Sequence, residues 1–83
     1  MKEFIKAREE FYNFLYKKFL SSDGPYCGDA EFQRLCQASA LMEKTKLFAT
    51  DLGHLKQNRL GWHRLSAQGI LYAEEQGFIG GGD

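Results

Sequence analysis

The stretch TKLFATDLGHLKQNRLGWHRLSAQGILYA, Thr45 to Ala73, decides how this chain is read. Thr50 followed by Asp51 can cap a helix, and Leu52, Leu55 and either Arg59 or Leu60 then share one side of it. That spacing predicts a helix over residues 50–60, stopped by Leu60-Gly61, with Thr50, Gly53, His54, Gln57 and Asn58 facing outward. A glycine inside such a helix costs about 1 kcal/mol relative to alanine, so Gly53 implies close approach of another backbone or a surface. Trp62-His63-Arg64-Leu65 alternates with the period of a strand and is able to pair with Tyr26-Cys27. There is room for one strand over 62–65 and almost none for a second. Ser66 is a good cap for a last helix over 66–76, with Ile70, Leu71 and Ala73 inward and Gly77 as its stop.

Working outward, Asp29 is positioned to cap a helix over 30–44 that runs through Phe32, Leu35, Cys36, Ser39 or Ala40, and Met42. Between Thr45 and Thr50 two threonines and an aromatic replace strong helix formers, so a turn between helices is expected there. No proline interrupts residues 30–60, and one long or kinked helix is the alternative. Lys2 to Leu20 contains neither glycine nor proline, and its apolar residues cover a wide helical face. This helix over 2–20 reads as the central pillar of the domain. A surface of Phe4, Phe11, Tyr12, Tyr16 and Phe19 that meets a second copy or another protein is the alternative. Ser21 to Pro25 is the clearest turn. Phe78-Ile79 is expected to fold back onto the core as the end of a single domain over 1–79, and residues 80–83 read as a flexible tail.

Composition sets the class. The chain has 83 residues, enough for one thin core, and an apolar share of 43%, that of a folded protein. It lacks valine, and its β-branched residues are confined to Ile5, Thr45, Thr50, Ile70 and Ile79, so extensive sheet is excluded. The expected fold is mainly α, a small domain of three or four helices with at most a short two-stranded sheet. Formal charge is zero, from 11 basic and 11 acidic residues, so any polyanion binding requires charges sorted onto separate faces. Lys44, Lys46, Lys56, Arg59 and Arg64, with Asp51 the one acid from Lys44 to Arg64, form a local basic excess, a composition more often that of a solvated helix face than of a binding patch. No apolar run approaches the roughly 20 residues needed to span a bilayer. With two cysteines and no leader, a reducing cytoplasm is the expected compartment, and no membrane partner is expected.

His54-Leu55, Leu60-Gly61 and Leu65-Ser66-Ala67-Gln68-Gly69 together resemble the second half of winged helix-turn-helix DNA-binding domains. There a recognition helix is followed by a strand and a Leu-(Thr/Ser)-x-x-Gly segment entering a helix. Lys46 and Phe48 stand where that family usually carries a glycine and a small polar cap, and the wing is much reduced. The resemblance implies a DNA-binding transcriptional regulator with double-stranded DNA as its partner. Thr50, His54, Gln57 and Asn58 would then face bases, and Lys46, Lys56 and Arg64 would hold phosphates.

Other chemistry has weaker support. Cys27, Cys36, His54 and His63 follow none of the closely paired spacings of zinc sites, so no metal or other cofactor is expected. Glu9-Glu10 and Glu74-Glu75 are adjacent on helices and point about 100 degrees apart, so neither pair shares a site. A non-enzymatic role is therefore expected, with a protein-interaction module working through the aromatic helix as the alternative to DNA binding. A small phage or mobile-element protein that binds a host complex would be of that kind.

Overall fold

A computed structural model describes residues 2–79. They form α1 (Lys2–Leu20), α2 (Asp29–Gln37), α3 (Ala40–Asp51), β1 (Leu55–Gln57), β2 (His63–Leu65) and α4 (Ala67–Gln76). The domain is mainly helical with a short antiparallel sheet, as its composition requires. The tail at 80–83 lies outside the described residues.

The pillar reading of α1 holds. Ala7, Phe11, Tyr12 and Leu15 face inward, and α1 packs against α3, α4 and β2. Phe11 and Tyr12 are fully buried, so they belong to the core and not to a surface offered to a partner. Phe11 meets Phe32 of α2 edge to face at 6.1 Å, and Tyr12 lies 5.0 Å from the Tyr72 ring of α4. Such aromatic pairs add to the burial of their area. Arg8 closes the other end, with its guanidinium 4.8 Å from the Phe4 ring and 5.1 Å from the Phe48 ring, and Nη1 donating to the Tyr72 hydroxyl at 3.0 Å.

Residues 30–60 depart from their expected division. The helix expected over 30–44 ends at Gln37, because Ser39 takes an extended conformation and its hydroxyl accepts from the Met42 amide at 3.1 Å. A serine read as interior is in fact the cap of the next helix. Asp29 is the first residue of α2, and Gly28 stands at its cap with no side-chain bond. The turn expected over 45–50 is helix. Both threonines return their hydroxyls to the chain: Thr45 Oγ1 donates to the Leu41 carbonyl at 2.8 Å and Thr50 Oγ1 to the Lys46 carbonyl at 2.7 Å. Satisfied in this way, Thr45 lies fully buried in mid-helix.

The helix expected over 50–60 does not form. Gly53 takes φ +73, the left-handed conformation that terminates a helix, and is not an interior residue. Its amide donates to Thr50 and that of His54 to Ala49, at 3.1 and 2.9 Å, which caps the carbonyls at the end of α3. The chain then turns into β1. Pairing joins Leu55 to Leu65, Lys56 to Arg64 and Gln57 to His63, so two strands occupy the segment thought to have room for one. Cys27 forms a bridge to His63, with amide-to-carbonyl distances of 2.7 and 3.1 Å, at the place where the alternation suggested pairing.

The corner after α3 is held from two sides. Ser66 Oγ donates to the Gly53 carbonyl at 2.6 Å and accepts from the Gly69 amide at 3.2 Å, while the Ser66 amide donates to the His54 carbonyl at 2.8 Å. Ser66 therefore caps α4 as expected and also ties that helix to the corner. The His54 ring is buried, with Nδ1 2.7 Å from the Tyr12 hydroxyl, a hydrogen bond whose donor is set by the ring tautomer. Phe78 folds back into the core after Gly77, whereas Ile79 remains 40% exposed.

Two predictions concern this corner. A Cβ on Gly69 would stand 2.5 Å from the His54 carbonyl oxygen, so Gly69→Ala is expected to cost roughly 1–3 kcal/mol by chemical denaturation. Burial lowers the pKa of both His54 and His63 from the ordinary 6.5, with Lys46 adding to the effect at His63. The unfolded chain therefore takes up protons more readily, and stability falls as the pH drops below about 6.5. The melting midpoint should be level above neutrality and decline toward about pH 5. His54→Gln should melt lower at neutral pH and show a shallower decline, and an unchanged pH profile would remove His54 as a cause.

Candidate functional site

α3 and the hairpin carry the residues that the sequence assigned to DNA contact, and several of their polar side chains face solvent. The outward residues of α3 are Ala40, Glu43, Lys44, Leu47, Thr50 and Asp51, with Lys46 half-buried. The hairpin alternates. Leu65 points into the core and Leu55 is half-buried behind it, so Lys56 and Arg64 occupy the opposite, outer face, directly across from each other. Trp62 precedes β2 on the same alternation and is 40% exposed. Beyond Arg64 lies Tyr26, next to the bridging Cys27, with its ring centroid 5.7 Å from the Arg64 guanidinium carbon.

The tip, residues 58–62, is closed by one side chain. Asn58 Oδ1 accepts from the amides of Leu60 and Trp62 at 2.9 and 3.0 Å. The Asn58 amide donates to the Trp62 carbonyl, and the Gly61 amide to the Asn58 carbonyl, both at 3.0 Å. Gln57 Nε2 donates to the Gly61 carbonyl at 3.3 Å. An asparagine bonded to the backbone two residues ahead is a known turn device, and here it leaves Arg59 and Leu60 projecting from a fixed loop.

The expected base-facing group therefore separates. Thr50 is exposed on the last turn of α3, whereas His54 is in the core and Gln57 and Asn58 are engaged by the tip. Among the expected phosphate contacts, Lys56 is exposed and Arg64 half-buried, with Nη1 donating to the Leu65 carbonyl at 2.9 Å. Lys46 leans back over the Phe32 ring at 5.9 Å. The structure thus pairs Lys56 with Arg64 across the hairpin and withdraws His54 into the core, while Thr50 and Lys46 lie on α3, Lys46 near His63 of β2. Arg59, Trp62 and Tyr26 join the outer face. Arg59 was legible as part of the basic excess, but the places of Trp62 and Tyr26 depend on strand pairing. The expected partner surface on α1 is also divided: Phe11 and Tyr12 are interior, Phe4 packs on Phe48, the Tyr16 hydroxyl donates to Glu74 at 3.0 Å, and Phe19 is half-buried.

Elsewhere, a groove of about 220 Å³ between α2 and α3 is lined by Gln33, Cys36, Gln37, Glu43, Lys46 and Leu47. Both cysteines are free and buried. Burial and then the nearby Glu31 carboxylate push the Cys27 thiol up to about 11, and burial raises Cys36, so both remain protonated at neutral pH and are poor nucleophiles. Among the described residues no group of three or more His, Cys, Asp or Glu is disposed to hold a metal ion, and no helix is long and apolar enough to cross a membrane. Comparison with protein-family models, curated proteins and solved structures returned no match.

Asn58→Ala removes two acceptances from the tip, and a stability loss of about 1–2 kcal/mol is expected by denaturant titration. Faster amide exchange at Leu60 and Trp62 should accompany it. Unchanged exchange would show that the tip does not depend on this side chain.

Proposed function

We propose that this chain is a small DNA-binding regulator of winged helix-turn-helix type, with α3 laid against the duplex and the β1–β2 hairpin as its wing. The observation that carries the reading is the order of elements. A long helix is followed by an extended residue bridged to the sheet, then two helices joined by the short Ala38-Ser39 turn, a hairpin, and a closing helix opened by Leu65-Ser66-Ala67-Gln68-Gly69. The sequence resemblance implies the later part of that order, a helix, a strand and the Leu-Ser-x-x-Gly helix, with the helix assigned to the duplex moved from 50–60 back to 40–51, His54-Leu55 and Leu60-Gly61 falling after it, and two strands in the wing. Exposed Lys56 and Arg59 and half-buried Arg64 supply cationic groups for such a surface.

For the alternative, a protein-interaction module, the burial of Phe11 and Tyr12 leaves Phe4, Tyr16 and Phe19 as the part-exposed aromatics of the α1 surface. The observation that favours it now lies on α3 and the residue after it, where Leu47 and Leu52 are 63% and 48% exposed.

Binding of the protein to mixed-sequence duplex DNA across a range of salt tests the proposal. If Lys56, Arg59 and Arg64 each neutralise a phosphate, the logarithm of affinity should fall with that of salt at a slope of about −2.7, or about 40-fold from 50 to 200 mM. Absence of duplex binding at about 50 mM salt would refute the proposal and direct attention to Leu47 and Leu52.

A further inference from the structure

The outer face of the hairpin is cationic, with exposed Lys56 and half-buried Arg64 on the strands and exposed Arg59 at the tip. Lys56 and Arg64 are register partners across the antiparallel pair, and the Arg64 guanidinium turns to the Tyr26 ring on the other side of β2 and to the Leu65 carbonyl. No acid relieves them from the neighbouring chain, because Leu52 to Ala73 contains Lys56, Arg59 and Arg64 and no aspartate or glutamate. Lys56 and Arg59 are exposed, and neither is ion-paired to another described residue. An anion on this face would meet Lys56, Arg59 and Arg64 with no carboxylate from the same stretch of chain beside them.

The helix opposite is poorly equipped to read bases. Its outward residues include no asparagine, glutamine or arginine, the side chains best suited to base edges. Glu43 and Asp51 offset Lys44 and Lys46, and Leu47 stands 63% exposed among them. The carboxamides that might have read bases from the hairpin, those of Gln57 and Asn58, are committed to closing its tip.

We infer, on the premise that the chain binds DNA, that the duplex is held through its phosphates by the outer face and tip of the hairpin, and that the complex is indifferent to base sequence. Lys56 and Arg64 take the backbone between them. The tip fixed by Asn58 presents Arg59 to a neighbouring phosphate, and Trp62 lies against the sugar edge beside it. Affinity then follows the charge of the hairpin, and α3 supplies shape and little discrimination.

The test uses the full chain with labelled duplexes of several unrelated sequences, titrated at several salt concentrations. Lys56→Gln and Arg59→Gln, singly and together, are compared with the α3 variant Lys44→Gln/Thr50→Ala. The double hairpin variant should bind at least ~10-fold more weakly and lose about 1.8 from the salt slope. The α3 variant should change affinity by less than ~3-fold, and unrelated duplexes should bind within ~3-fold of one another. Trp62, the single tryptophan, should change its emission on binding. Lys56→Gln should melt with the parent chain, because the side chain is exposed, while binding weakens, a combination that a purely structural lysine would not produce. A larger loss from the α3 variant, a preference for one sequence of ~30-fold or more, or tighter binding to the single strand would each overturn the inference. If the parent chain binds no duplex, the premise fails and the inference falls with it. If the parent binds and the hairpin variants bind equally well, the inference alone falls.

Discussion

The fold depends on the corner where the end of α3 meets the start of α4. At Gly53-His54 the backbone leaves the helix, and at Ser66 to Gly69 it leaves the hairpin; the two places are joined through Ser66 and through the close approach of Gly69 to His54. Each constraint requires the others. The left-handed turn at Gly53 exposes a carbonyl that Ser66 satisfies, and the absence of a side chain at Gly69 lets α4 come near enough for that bond to form. The His54 ring is thereby directed inward to Tyr12, which couples the corner to α1. A chain this short has little burial in reserve, and a few satisfied polar contacts at one crossing contribute much of its definition.

The hairpin follows from the same corner. Its base is anchored by Leu55 and Leu65, its flank by the Cys27 bridge, and its tip by Asn58. Because Leu65 must point inward, Lys56 and Arg64 are left facing each other on the outside. Net charge for the whole chain is zero, yet the acids lie before Leu52 and after Ala73, so the balance conceals a locally cationic element. A surface of this kind attracts polyanions at short range without a long-range field from the molecule as a whole.

Much was legible in the residues alone where one physical signal dominated. The unbroken helical pattern from Lys2 to Leu20, the serine cap before α4, the alternation at Trp62 to Leu65 and the scarcity of β-branched residues each led to the element observed. Most of the errors fell between Ser39 and Gly61, where residue types have two uses; outside it Leu71, expected inward on α4, is 63% exposed. Ser39 suits a helix face or a cap, threonines end helices unless their hydroxyls return to the preceding turn, and a glycine marks either a weak interior or a helix terminus. The site inherited those errors. Lys56 and Arg64 share a face of the hairpin, whereas His54, expected outward on a helix over 50–60, is in the core, and Gln57 and Asn58 lie on the hairpin and its tip.

By itself, the sequence determined the class of fold, the aromatic pillar, the closing helix and the local excess of cations, because composition and helical period act over short distances in the chain. Tertiary structure alone decided which glycine ends α3, that His54 is interior, and that Lys56, Arg64, Trp62 and Tyr26 share a face. Those outcomes rest on contacts between residues far apart in the chain, such as Tyr12 with His54 and Cys27 with His63, whose energies no local pattern records.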